Sequence, residues 1–493
     1  MLIVSRIGAS GPAGRIRYLM RSIRLLFFVI LGVSGVFAQS GRNAVQPSNQ
    51  TESAGTVAEL SVKKLFDEAN GYIKAKATEY DAKKVPFSQR LLDQTRLEQR
   101  QLAAKYAATA SMRKDLAGED FYYVGMLHWI AENLDGTAEN LRKFIAIENA
   151  SPERRQSARS IVIVVLAKQK KLDAAEAILA EYLKSEPTKL SERARIESEL
   201  AKAYQTQKDF AKMAAHADEG YRALNELSRD AASKAKWLDE IFDAGILVYE
   251  ANREIGDQKK AEAVLEDLRV TGAAASSPSL YYYAVDQKIK YLIETGRKAQ
   301  AQEYYMTSLI KAEGAFAAAS LKADVISKLK KREKHYKLLG EVAPELPMVD
   351  QWFPGTRKTL DELKGKVVLL DFWATWCGPC FEAFPSLTEW HQDFSRDGLV
   401  TLGVTKYYGK VSGPWVDNLG EIAELKSFRE THKLPYDFVV GKDSSIQLAY
   451  GATSLPTTVL IDRKGIIRYI ESGTSTARLA QLREMIVKLL AEK

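Results

Sequence analysis

Cysteine is almost missing from this chain: its 493 residues contain two. That excludes a framework of structural disulfides, which needs several pairs. The five histidines (His128, His216, His335, His391, His432) are scattered without ligand spacing, and no second cysteine pair is present to complete a zinc site. Excess positive charge is also scarce once its position is considered. Of a formal net charge of +8, Arg6, Arg15, Arg17, Arg21 and Arg24 supply five before residue 39, with no acid among them. The small remainder on so long a chain argues against a nucleic-acid partner. An apolar run long enough to span a bilayer is missing too, since the stretch from Leu25 to Phe37 falls short of the roughly 17–25 residues required.

That N-terminal stretch does have the three parts of an export signal: a basic segment, a short apolar core, and Val36-Phe37-Ala38 as a small-residue cleavage site. The expectation is a signal peptide over residues 1–38 cleaved after Ala38, with an uncleaved anchor as the alternative and Met20 as an alternative start. The destination is the periplasm or cell envelope. Residues 39–56, rich in Gln, Ser, Asn and Gly, read as a flexible linker.

From 57 to 339 the chain is rich in Ala, Leu, Glu, Lys and Tyr, with apolar residues at helical spacing. Turn-like patterns recur at Asp135-Gly136-Thr137-Ala138, Leu172-Asp173-Ala174-Ala175, Lys208-Asp209-Phe210-Ala211, Gly256-Asp257 and Gly296-Arg297, with Pro152 and Pro187 read as closing helices. Helix–turn–helix units with a small residue after the turn resemble tetratricopeptide repeats, and they predict an all-α solenoid with a concave face for a protein partner. A helical spacer without a ligand is the plainer alternative. The basic run Lys328-Leu329-Lys330-Lys331-Arg332-Glu333-Lys334 reads most simply as a solvated helix face.

Near Gly340 the composition changes. Val367-Val368-Leu369-Leu370-Asp371-Phe372 reads as a buried strand, and Trp376-Cys377-Gly378-Pro379-Cys380 follows at the start of a helix. Residues three apart share a helix face, so the two sulfurs can form a disulfide. The helix N-terminus favours a thiolate on Cys377. Asp371 is the polar exception in an apolar strand. Burial would raise its pKa and suit it to accept a proton from Cys380; a strand-end aspartate in solvent is the alternative. Further strands are expected at 399–404, 436–440, 459–462 and 466–470, with helices over 415–432 and 476–490, giving an α/β domain over 340–493.

These motifs, together with Ala343-Pro344, Gly365-Lys366-Val367-Val368, Pro385 and Tyr450-Gly451 through Leu455-Pro456-Thr457-Thr458, resemble the exported TlpA/ResA-type redoxin domains of thioredoxin fold. The resemblance implies an exposed attacking Cys377, a more buried resolving Cys380, a cis peptide bond at Pro456, and a Leu455 backbone that receives an extended substrate. It also implies that Trp376 flanks the sulfur. The active centre is then the Cys377–Cys380 disulfide, with no cofactor. Gly378-Pro379 between the cysteines resembles reducing thioredoxins, near about −270 mV, more than strong oxidants near about −120 mV. Client protein disulfides and a membrane electron donor of the DsbD or CcdA kind are implied partners. The domain departs from many of its kind in carrying Asp371 where they have Asn, and in lacking a Glu within Val404-Thr405-Lys406-Tyr407-Tyr408. No Pro-x-x-x-Thr/Ser-x-x-Cys segment of a peroxiredoxin is present.

Overall fold

The computed structural model describes residues 60–409 and 415–492. The export signal and the whole of the linker therefore lie outside the described residues. The chain divides into two compact units, up to Ala261 and from Glu262 onward.

The first unit is helical: α1 (Val62–Ala82), α2 (Gln89–Ser111), α3 (Asp120–Ile130), α4 (Leu134–Ile145), α5 (Pro152–Lys168), α6 (Leu172–Lys184), α7 (Leu190–Gln207), α8 (Phe210–Leu227), α9 (Ala231–Lys236) and α10 (Leu238–Ile255). From α1 to α6 each helix packs on the next, as do α7 and α8, and α1 also meets α3, α5 meets α7 and α8 meets α10, so contacts stay local in the manner of stacked helix pairs. Small residues permit this. A Cβ on Gly125 of α3 would lie 2.6 Å from Leu141 of α4, and one on Gly136 would lie 2.6 Å from the His128 ring. Pro152 differs from expectation, since it opens α5 at the first turn, behind the Ser151 cap, and does not close the helix before it. Proline has no N–H to lose at that position, and its fixed φ suits a helix start.

α11 (Gln258–Ala274) crosses the division. The second unit continues with α12 (Pro278–Glu294), α13 (Lys298–Ala315) and α14 (Ala319–Leu338), then β1 (Val349–Phe353), β2 (Val367–Phe372), α15 (Gly378–Phe394), β3 (Leu399–Lys406), α16 (Asn418–Thr431), β4 (Asp437–Gly441), α17 (Ser445–Tyr450), β5 (Thr457–Ile461), β6 (Ile467–Ser472) and α18 (Thr476–Ala491). The six strands form one mixed sheet ordered β1-β4-β3-β2-β5-β6. β2, β3 and β4 run parallel, while β5, β6 and β1 pair antiparallel to their neighbours. The thioredoxin-like α/β architecture and the helical stretch before it are those read from the sequence. β1 and α17 are additional elements.

Every residue of the central strand β2 is buried. Side chains alternate across a strand, so Val367, Leu369 and Trp373 enter one core with both cysteines, and Val368, Leu370 and Phe372 enter the other with Leu339. Asp371 shares the parity of the cysteine side.

The compact unit that carries the sheet begins well before Gly340, and a buried ionic network shows why. Arg332 on α14 donates from Nε to Asp286 of α12 (3.3 Å), from both terminal nitrogens to the Ile470 carbonyl (3.2 Å each), and from Nη2 to Glu471 (3.1 Å). Lys290 bridges Glu471 (2.7 Å) and Asp286 (3.4 Å), and Tyr336 donates to Asp286 (2.7 Å). Burial opposes ionisation of Asp286, but Lys290 and Arg332 hold its carboxyl down at about 2. The sequence reading placed Arg332 on a solvated face. The fold instead turns it inward with Val325, Leu329 and Tyr336, and leaves Lys330, Lys331 and Lys334 exposed.

Removing one partner of a buried ionic network leaves uncompensated charge and typically costs about 3–5 kcal/mol. Arg332→Leu should lower stability by that amount, measured by urea denaturation with hydrogen exchange on β6. Lys331→Ala should change it by less than about 0.5 kcal/mol.

Candidate active site

Cys377 is the N-cap residue of α15 and Cys380 sits in its first turn. Their sulfurs are bonded, with Cα atoms 5.4 Å apart. The Cys380 amide donates to the Cys377 carbonyl at 3.0 Å, and the Cys377 amide donates to Ala374 at 3.1 Å, which fixes the loop out of β2. Gly378 and Pro379 between them are exposed. Cys380 is fully buried as expected. Cys377 is not exposed as the resemblance implied: only 3% of its surface is accessible. Its position on the helix end comes from local sequence, but its cover comes from a core built by distant elements. Trp376 is the exposed member, at 56%, and stands edge-on to Tyr408 with ring centroids 5.4 Å apart.

The Leu455–Pro456 peptide bond is cis. Leu455 packs against the core cluster that contains both cysteines, and Pro456 lines a narrow cleft with Ala383 and Leu387 of α15 and Thr458 of β5. The loop is pinned at both ends. The Gly473 amide donates to the Pro456 carbonyl (2.7 Å) and the Thr457 hydroxyl to Ser454 (2.7 Å). Upstream, His335 Nε2 donates to the Gly451 carbonyl (2.9 Å), while its Nδ1 accepts from Arg332 (2.7 Å). Burial, then the Arg332 charge, holds His335 down at about 4, so it is neutral at physiological pH. Gly451 lies in the left-handed region (φ +67°), and a Cβ there would stand 2.9 Å from Lys334 Cγ and 3.0 Å from His335 Cδ2. α14 therefore rests directly on the loop that leads to Pro456. The sequence offers His335 only as one of five scattered histidines and Arg332 only as part of a solvated basic run, with no link to this loop.

Asp371 is fully buried, and neither carboxylate oxygen has a hydrogen-bond partner among the described residues. Burial pushes its pKa up to about 7; Thr458, its register partner on β5, opposes this weakly without reaching full hydrogen-bond geometry. On the other side its register partner is Gly403. A Cβ at Gly403 would meet Trp373 Nε1 at 3.0 Å and the Tyr436 ring at 3.3 Å. The Trp373 indole N–H and the Tyr436 hydroxyl are likewise buried without partners among the described residues. Burial, then the nearby Asp371 charge, pushes the Tyr436 phenol up. Three polar groups thus surround a position left small by glycine, a setting for moving a proton in an otherwise apolar core. Tyr436 and Trp373 carry no sequence signal apart from their type, because only the sheet brings them to Asp371.

Among the described residues no cluster of three or more His, Cys, Asp or Glu side chains has the arrangement of a metal site. The arrangement is a dithiol/disulfide pair with a buried acid of near-neutral pKa, capable of thiol–disulfide exchange at physiological pH.

Between 3.8, the ordinary aspartate value, and about 7 the native state keeps a proton on Asp371 that the unfolded chain releases. Native stability therefore falls as pH rises across that window and levels off above it. Asp371→Asn cannot ionise and escapes the fall. Its stability advantage should grow from pH 4 to pH 7, reaching on the order of 4 kcal/mol, and stay flat above. Urea titrations at several pH values, read by hydrogen exchange on β2, measure it; a constant difference refutes the buried ionisation.

The AhpC/TSA family matches residues 339–470. The chain is 32% identical over 145 residues to the thiol-disulfide oxidoreductase ResA of Geobacillus thermodenitrificans (strain NG80-2), covering 29% of this chain and 75% of that protein. It is 30% identical over 137 residues to ResA of Bacillus subtilis (strain 168), covering 28% of this chain and 69% of that one. Among solved structures, the Thioredoxin-like superfamily protein SPOA0173 is 25% identical with a TM-score of 0.27, over 31% of this chain and 97% of its own.

Proposed function

Because the chain belongs to the family of the ResA thiol-disulfide oxidoreductases, we propose that it reduces protein disulfides in the cell envelope through Cys377 and Cys380. The observation that carries the reading is the bonded Cys377–Cys380 pair at the start of α15, with an acid of near-neutral pKa buried on the same side of β2. The enzyme is a thioredoxin-like thiol-disulfide oxidoreductase. Its reducing direction, exported location and electron source belong to the proposal.

In the reduced enzyme the Cys377 thiolate attacks one sulfur of a client disulfide. A Cys377–client bond forms, the client S–S bond breaks, and the second client sulfur leaves as a thiolate. Asp371 in its carboxylate form takes the proton from Cys380, directly or through water. The Cys380 thiolate then attacks Cys377, closing the intramolecular disulfide, breaking the Cys377–client bond and releasing the attacked client sulfur as a thiolate that takes up a proton from solvent. Two electrons pass from enzyme to client. The Gly378-Pro379 pair supports a reducing potential, and the residue 1–38 pattern supports export. In an oxidising compartment such a reductase must be recharged, which points to a membrane dithiol donor of the DsbD or CcdA kind. Trp376 and the Leu455 backbone beside cis Pro456 form the client-facing edge, and the helical units preceding the sheet provide surface for partner proteins.

Cys380→Ser should leave the first attack intact and accumulate mixed disulfides on Cys377, seen as thiol-sensitive bands on non-reducing gels. Cys377→Ser should trap none. Asp371→Asn should slow release of the client at pH 7 by about 100-fold or more. A redox titration placing the pair well above about −180 mV overturns the reducing direction in favour of a net oxidase.

A further inference from the structure

The exposed half of the basic run on α14 has no part in the thiol chemistry. The buried face of the helix, with Leu329, Arg332, His335 and Tyr336, carries α14 onto the sheet and the Gly451 loop. The outward face of α14 lines a groove of about 980 Å3, to which it contributes Lys322, Lys330, Lys331 and Lys334 and the neighbouring loop contributes Gly451 and Thr453. Glu313 is the single acid that lines it. The ion pairs within α14 are made by Lys328 and Lys337, and none joins the four groove lysines among the described residues. Four ammonium groups without an ion pair, against a single acid in the lining, form a site for a chain of negative charges.

The position of the groove decides what those charges belong to. Thr453 and Ser454 are exposed and lead within three residues to the cis Leu455–Pro456 bond. Three residues of extended chain reach at most about 10 Å. A polypeptide engaged at Cys377 and passing along this loop therefore meets the lysines a few residues from its own cysteine. The groove is lined by the loop as well as by α14, and a cleft between a helix and a loop fits an extended chain.

We propose that this groove binds an acidic segment of the client polypeptide, within about six residues of the attacked cysteine, making α14 the surface that selects among disulfides. The proposal rests on the reductase reading for the identity of the client, but binding to the groove is measurable without turnover.

The test uses the full chain and fluorescein-labelled decapeptides without cysteine, one rich in Asp and Glu and one with Asn and Gln in their place, followed by anisotropy. The acidic peptide should bind the wild type at least about 10-fold more tightly at low salt, and the preference should shrink as salt rises. Lys330→Glu/Lys331→Glu/Lys334→Glu should abolish the preference, and the triple Lys→Arg variant should keep it. In turnover, the charge-reversed variant should raise KM about 10-fold for a disulfide peptide with acidic flanks, with kcat unchanged, and leave a neutral-flanked one unaffected.

Equal affinity of the wild type for the two peptides, or undiminished acidic binding by the charge-reversed variant, overturns the groove alone. Loss of binding to phosphatidylglycerol vesicles in that variant, with peptide binding intact, overturns it in favour of a membrane surface. Normal acidic-peptide binding without reduction of either disulfide peptide overturns the client assignment together with the reductase reading.

Discussion

The Arg332 guanidinium bonds to groups on β6 that follow it by 138 and 139 residues, and to Asp286 on α12, 46 residues before it. A buried arginine is tolerable only when its donors are satisfied and its charge is met. Asp286, Glu471 and the Ile470 carbonyl supply that here, and the satisfied cation in turn fixes the His335 tautomer. With Nδ1 accepting from Arg332, His335 must present its Nε2 proton to Gly451, and so the loop running to Pro456 is held by a residue of the helical layer. Replacing any of these groups with an apolar side chain of similar size leaves the remainder short of a partner. The helices of the second unit are therefore part of the scaffold on which the thiol chemistry is mounted.

The redox face itself depends on a different economy of polar groups. On the cysteine side of the sheet Asp371, Trp373 Nε1 and the Tyr436 hydroxyl gather around Gly403, all buried without partners among the described residues. Such groups oppose folding, and their persistence around Gly403 accords with the proposed mechanism, in which one of them changes protonation. A fully satisfied aspartate would be held as an anion, and an aspartate in solvent would ionise near its ordinary value. Isolation keeps the proton exchangeable near neutrality.

Much of this was legible in the sequence because it was local. Val367–Phe372 is too apolar to be anything but a buried strand, and its lone carboxylate stands out against that background. The spacing of Cys377 and Cys380, and the Leu455-Pro456-Thr457-Thr458 motif, are short-range features. What escaped the reading depends on long-range pairing. β1 alternates poorly, with Asp350 and Gln351 in its middle, and exists because β4 pairs with it. α17 is only 6 residues long. Arg332 is hidden by its own chemistry, since one cation among many lysines looks like its neighbours. The signal was spacing: Val325, Leu329, Arg332 and Tyr336 recur at helical intervals and mark a single buried face. The cover over Cys377 is likewise assembled by residues distant in the chain.

Two cysteines, three residues apart, leave the chain one way to oxidise on its own. Oxidative folding of these 493 residues has no wrong pairing to correct, because they contain no third thiol to compete, and it requires no isomerase to reach the native bridge. By the same count, any sulfur bound to Cys377 other than that of Cys380 comes from another molecule. Each covalent adduct at this position is thus a record of an encounter, uncontaminated by the protein's own disorder of disulfides.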